Sequence, residues 1–235
     1  MNLAAAIASA QGIDALYRGA IRPNVVARET DTQALVLKQP DGRFAIVFPG
    51  TASLHDALTD VEIGKETWGG GKVHHGFLKA YDSVHQGILA LLPPGASLVI
   101  SGHSLGGALA TLCADLLDEM YHVADVITFG SPRVGNGAFA RDYNARLSPA
   151  TVRLVNAEDP IPHMPWCFGT YRHVNTQHYL TNDGHLRVDQ PVVTAMDELV
   201  STLDVRMDRS GGLQHFSLAP AHHITSYLAK LRALT

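Results

Sequence analysis

The chain has 235 residues, a formal net charge of −4, 46% hydrophobic residues and 17% charged residues. That length suits a single α/β domain spanning residues 1–235, and the apolar share is enough for a large core. Acids and bases are interspersed, which leaves no basic stripe for nucleic acid, and no apolar run reaches the ~18 residues of a membrane-crossing helix.

The N-terminal segment Met1 to Ala10 is apolar, and Ala8-Ser9-Ala10 resembles a signal-peptidase site. No Lys or Arg precedes it, so the charged start of a signal peptide is missing. Leu3, Ile7 and Ala10 instead mark a first helix that ends near Gly19. Localisation stays unassigned, either cytoplasmic or by an export route that needs no such signal. Ala34 to Lys38 and Arg43 to Phe48 read as two strands joined by the hairpin signal Gln39-Pro40-Asp41-Gly42. The second strand runs into Phe48-Pro49-Gly50-Thr51-Ala52-Ser53. A glycine loop there is either a plain turn or a place where a backbone N–H faces a substrate. Residues 54–76 read as irregular, a lid or a long surface connection, with Trp68 followed by three glycines.

From Phe77 the apolar positions Tyr81, Val84, Ile88 and Leu92 repeat at helical spacing until Pro93-Pro94-Gly95. Next comes Leu98-Val99-Ile100, a short run suited to a strand buried on both faces. Gly102-His103-Ser104-Leu105-Gly106 follows and fits Gly-x-Ser-x-Gly. Leu105, Leu109, Leu112, Cys113, Leu116 and Leu117 then form a helical stripe. A strand–turn–helix of this kind lifts the serine hydroxyl clear of the sheet, where helix amides favour nearby negative charge. The plain alternative is a glycine-rich turn with a buried serine.

Val123 to Phe129 is another apolar strand, ending in the loop Gly130 to Asn136. A helix carrying Phe139, Tyr143 and Leu147 and a strand over Val152 to Asn156 follow. This alternation predicts right-handed crossovers and a mostly parallel sheet flanked by helices. In such sheets the site lies beyond the carboxyl ends of the strands. Asp159 stands there in Asn156 to Pro162, where Pro160 and Pro162 remove backbone freedom and hold the carboxylate in place, with Glu158 as the neighbouring candidate. His178 to Asp189 predicts a hairpin turning at Asn182-Asp183-Gly184, and Val192 to Met207 predicts a helix. The last helix, about 221–234, places Ile224, Tyr227, Leu228 and Leu231 on its core face and His222 and His223 at its start.

Thirteen histidines and two cysteines invite a metal hypothesis, yet no His/Cys pairs fall at ligand spacing, so neither metal nor cofactor is expected. Cys113 and Cys167 are expected to be buried, reduced thiols. Acyl transfer needs a hydroxyl nucleophile, a base and an acid that orients the base, in the chain order serine, acid, histidine on this architecture. Ser104, Asp159 and then His222 or His223 follow that order.

Six segments together resemble the class 3 lipases, a family of α/β-hydrolases that includes fungal triacylglycerol lipases and their bacterial relatives. They are Phe48 to Thr51, Val73 to Phe77, Gly102 to Gly107, Thr128 to Asn136, Asn156 to Pro162 and His222 to Tyr227. The resemblance implies that Ser104 is the nucleophile, Asp159 the orienting acid and His222 the base. The family's bacterial spacing to Tyr227 selects His222 over His223. It further implies that the backbone N–H groups of Thr51 and Leu105 form the oxyanion hole. The substrate class it implies is a lipid or other apolar ester, reached through transient contact with a lipid–water interface. A phospholipase A1 or a feruloyl-type esterase would use the same residues. A non-catalytic binding protein of the same fold would not need all three. Met164, Trp166, Phe168 and Leu105 are candidates for an acyl groove, or for ordinary packing. One departure stands out: Asp56 is followed by Ala57 where the family usually has an aromatic residue.

Overall fold

A computed structural model describes residues 1–50, 64–165, 171–188 and 220–235. Its centre is an eight-stranded sheet. In chain order the strands are β1 (Val25–Ala27), β2 (Thr32–Lys38), β3 (Phe44–Phe48), β6 (Ser97–His103), β7 (His122–Phe129), β8 (Thr151–Asn156), β9 (Gln177–Leu180) and β10 (Leu186–Val188). They lie side by side in that same order. The pairings β1–β2, β2–β3 and β9–β10 are antiparallel, while β3, β6, β7, β8 and β9 run parallel. A separate two-stranded hairpin is formed by β4 (Lys65–Trp68) and β5 (Gly71–His74).

Strand alternation sorts the core into two layers. Val36, Ile46 and Phe48 face one way and pack with helices α2 (His75–Leu89), α3 (Leu105–Leu117) and α4 (Gly137–Leu147). Their neighbours Leu35, Ala45 and Val47 face the other way and pack with α1 (Leu3–Tyr17) and α5 (Ile224–Arg232). Successive strand side chains point to opposite faces, so one apolar run can feed both layers. The crossovers between the parallel strands carry α2, α3 and α4. The chain's two ends supply the opposite layer, where α1 and α5 pack on each other.

The register fixes where a site can form. Phe48 pairs with Gly102, Gly102 with Thr128, and Phe129 with Leu154. Four carboxyl ends are therefore level, and the segments at Pro49, Ser104, Gly130 and Ala157 all emerge along one edge.

Three expectations are corrected. Residues 65–74 form the β4–β5 hairpin rather than irregular chain, and the Trp68 indole N–H donates to Asp115 Oδ2 at 2.6 Å. A short strand, β1, precedes the first expected one. The last helix begins at Ile224, because Pro220–His222 is a single 3-10 turn that places His222 just outside it. Cys113 is a buried free thiol. The expected helix over Val192 to Met207, and Cys167, lie outside the described residues. No helix among the described residues is long and apolar enough to cross a membrane.

Candidate active site

Ser104 sits at the bend between β6 and α3 with φ 60° and ψ −130°. A side chain with positive φ is strained, at a cost of ~1–3 kcal/mol that the surroundings must offset. Here the Ser104 N–H donates to the Phe129 carbonyl at 2.9 Å, and its carbonyl accepts from Gly107 N–H at 2.9 Å. The bend also requires bare backbone. A Cβ on Gly102 would overlap the carbonyl of Gly106, and one on Gly106 would overlap the carbonyl of Phe48. Gly102 and Gly106 thus let β6, α3 and β3 approach one another closely enough to turn the hydroxyl outward from the sheet.

The 3-10 turn before α5 delivers His222, and the proline-bounded turn after β8 delivers Asp159. The Ser104 hydroxyl is 2.8 Å from His222 Nε2, and His222 Nδ1 is 2.9 Å from both Asp159 oxygens. All three are buried, with exposures of 3% for Ser104, 1% for His222 and 1% for Asp159. A carboxylate can only accept, so His222 Nδ1 carries the proton and Nε2 accepts from the serine hydroxyl. The arrangement can move a proton from Ser104 to His222 while Asp159 balances the imidazolium charge.

A buried carboxylate is stable only if its oxygens are satisfied. The Ile161 N–H donates to Asp159 Oδ1 at 2.9 Å, and the Tyr227 hydroxyl donates to Oδ2 at 2.5 Å. Burial, and then the Asp159 charge, hold the Tyr227 phenol well above its usual pKa, so it stays a donor. Tyr227 in turn accepts from the Asn156 N–H at 3.0 Å, which closes the network onto the end of β8. The sequence placed Tyr227 on a core helix face and carried no local sign of this second contact.

Of the alternative candidates, His223 is exposed at the N-cap of α5, and Glu158 is exposed and accepts from Asn182 Nδ2. Neither joins the cluster. Leu105 is buried and opens α3. First-turn amides of a helix have no acceptor within the helix. Thr51, Trp166 and Phe168 lie outside the described residues. Met164 packs, partly buried, against the layer that contains α2 to α4. Among the described residues no group of three or more His, Cys, Asp or Glu side chains could hold a metal ion.

The sequence pair His74-His75 has a structural task. His74 caps α2, its Nδ1 accepting from Gly76 N–H at 3.1 Å, while its ring stacks on Phe77. Burial, with a smaller push from His75, lowers its pKa to about 4. The unfolded chain therefore takes up this proton first as pH falls below about 6.5. Stability from this group is complete above that value and lost as pH falls through 4, up to about 3 kcal/mol. His74→Asn keeps a capping acceptor that does not titrate. Its thermal midpoint is expected to fall less between pH 7 and pH 4.5 than that of the wild type; equal falls would contradict the assignment.

Residues 45–169, just over half of the chain, match the family model described as lipase (class 3). A secreted mono- and diacylglycerol lipase 1 of Fusarium solani is 34% identical over 140 residues, 56% of this chain and 42% of that one. A lipase of Rhizomucor miehei is 32% identical over 168 residues, 65% of this chain and 46% of that one. The chain thus spans less than half the length of these relatives. The solved triacylglyceride lipase of Rhizomucor miehei superposes with a TM-score of 0.63 at 26% identity, covering 78% of this chain and 80% of that one. A triacylglycerol lipase structure described by its serine protease triad gives a TM-score of 0.63 at 27% identity, covering 79% and 82%.

Proposed function

This chain belongs to the class 3 lipase family, and from that premise we propose that it is a serine carboxylic-ester hydrolase acting on acylglycerols. The observation that carries this reading is the continuous run of hydrogen bonds from Ser104 through His222 to Asp159. The names of the matched relatives, mono- and diacylglycerol lipase and triacylglyceride lipase, support the substrate class.

In the proposed reaction Ser104 Oγ attacks the ester carbonyl as His222 Nε2 takes its proton. The carbonyl oxygen becomes an oxyanion, held by the backbone N–H groups of Leu105 and Thr51. Each such donor lowers the barrier by about 2.7–4 kcal/mol. The positive end of α3 adds to the same effect. The tetrahedral species collapses, the C–O bond to the alcohol breaks, and the alcohol leaves with the proton from His222. Water then enters, gives its proton to His222 and attacks the acyl-enzyme. The carboxylic acid departs as Ser104 regains its hydrogen. Asp159 keeps its charge throughout and stabilises the imidazolium in both half-reactions.

A panel of esters tests the reading. It comprises glycerol and p-nitrophenyl esters of short and long acyl chains, a diacyl phospholipid and a feruloyl ester, each assayed with and without an oil–water interface. Hydrolysis of the acylglycerols at least 10-fold faster than of the phospholipid and the feruloyl ester is expected. Preference for either of those would reassign the substrate within the same chemistry. Inactivity on all of them would leave a non-catalytic binding protein.

A further inference from the structure

Two polar side chains flank the candidate site without a part in the chemistry above. Tyr17 closes α1, and His103 ends β6 immediately before Ser104. His103 Nε2 lies 2.6 Å from the carbonyl oxygen of His222, and its Nδ1 lies 2.8 Å from the Tyr17 hydroxyl. The Gly50 N–H donates to that same hydroxyl at 2.6 Å. The ends of this run fix its direction, because an amide N–H only donates and a carbonyl only accepts. His103 therefore carries its proton on Nε2, Nδ1 accepts from Tyr17, and the Tyr17 oxygen accepts from Gly50. The charge states agree. Burial, and then the neighbouring His222, hold His103 neutral. Tyr17 as a whole is 46% exposed, but its hydroxyl end is turned in against Gly50 and His103, and burial there raises the phenol to about 12.

Each end of the run reaches one side of the site. Gly50 belongs to the chain leaving β3, one residue ahead of Thr51, and His222 carries the ring beside Ser104. A Cβ on Gly50 would lie 2.6 Å from the Tyr17 oxygen and 2.8 Å from Ser104 Cβ, so phenol and serine border the same backbone atom. Ring contacts hold the middle: Tyr17 meets His103 edge-on at 5.7 Å, and His103 lies 4.6 Å from the His222 ring.

We infer that Tyr17 and His103 are positioning residues that hold the Gly50 backbone and the His222 backbone in fixed relation across Ser104. The inference rests on the hydrolase reading. The bridge speeds acylation without adding to substrate binding, because a misplacement of about 1 Å in such a site can cost ~100-fold in rate. A purely structural alternative is that Tyr17 only fastens α1 to the sheet.

Tyr17→Phe removes one oxygen and leaves the ring. Competent sites in the full chain and the variant are counted by end-point titration with a fluorophosphonate. Turnover per titrated site is then measured on p-nitrophenyl butyrate. A fall in kcat per site of roughly 10- to 100-fold with KM within about twofold is expected. His103→Asn retains an acceptor for Tyr17 and loses the reach to His222, so it should fall comparably. Because both variants cut one bridge, their combination should lose little more than either alone. Should Tyr17→Phe yield too little folded protein, His103→Asn carries the same comparison. Fewer titratable sites with unchanged kcat per site would overturn the inference, as would full additivity of the two losses. A wild-type chain that neither titrates nor turns over would instead sink the hydrolase reading itself. An active wild type with unaffected variants refutes the bridge alone.

Discussion

Replacing Ser104 with Ala is expected to lower kcat on a soluble p-nitrophenyl ester by about 10⁵- to 10⁶-fold, the scale of losing the nucleophile from a serine–histidine–aspartate unit. In the proposed reaction the hydroxyl forms the bond to the acyl carbon, and no neighbouring group on the described residues replaces it. The protein itself should tolerate the change. Alanine occupies the same strained bend, held by the backbone bonds from Ser104 N–H to Phe129 and from Gly107 N–H to Ser104. His222 loses one hydrogen-bond partner at Nε2 and keeps Asp159. A thermal midpoint within a few degrees of the wild type is thus expected beside the loss of rate. Initial-rate assays and a melting curve on the same preparation check both, and a residual rate above about 1% would contradict the role.

Asp159→Asn is expected to cost about 10⁴-fold in kcat with the fold intact. The reason lies in proton placement rather than in shape. Asp159 accepts from His222 Nδ1, from Ile161 N–H and from the Tyr227 hydroxyl. An amide turns one acceptor oxygen into an NH2 donor. The Ile161 amide cannot change its role, whereas the Tyr227 hydroxyl can rotate, so the NH2 group should settle on the side of Oδ2. The new NH2 group lies on the Oδ2 side, also 2.9 Å from His222 Nδ1. The tautomer with the proton on Nε2, which two carboxylate oxygens exclude, now finds a donor for its bare Nδ1 and competes with the productive one. In that tautomer Nε2 presents a hydrogen to Ser104 and cannot take one from it. The compensating charge beneath the imidazolium is lost at the same time. Steady-state rates on the titrated variant measure this, and a loss under about 100-fold would show that the carboxylate is not the orienting group.

The sequence makes the middle of the sheet legible because its strands carry apolar runs, unbroken at Phe44–Phe48 and Leu98 to Ile100 and interrupted only by Asp125 in β7 and Arg153 in β8, whereas β9 opens on Gln177-His178. Leu98 to Ile100 shows why: buried on both faces, it needs no alternation and can take few other forms. Ser104 is legible because the glycines around it answer a steric demand at fixed spacing. Choices between adjacent residues are harder. Asp159 and Glu158, like His222 and His223, have the same chemistry one position apart. In each pair only one side chain turns inward, which depends on packing contributed from distant segments. Lys65 to Trp68 is polar and lacks a two-residue alternation, so the Gly69-Gly70 turn is the one local sign of the β4–β5 hairpin and the strands beside it give no support. Tyr17 carries the least signal of all. It closes an ordinary amphipathic helix, and its partners Gly50 and His103 lie 33 and 86 residues away. The sequence does not encode that meeting until α1 is laid on the sheet.

The proposed mechanism needs Ser104 to be an activated nucleophile in a working site. It is tested most directly by incubating the full chain with a fluorophosphonate, digesting it and mapping the adduct by mass. One adduct per chain on the peptide containing Ser104, absent from Ser104→Ala, is the expected result. An adduct that persists unchanged in Ser104→Ala, or no adduct on the folded wild type, would contradict it.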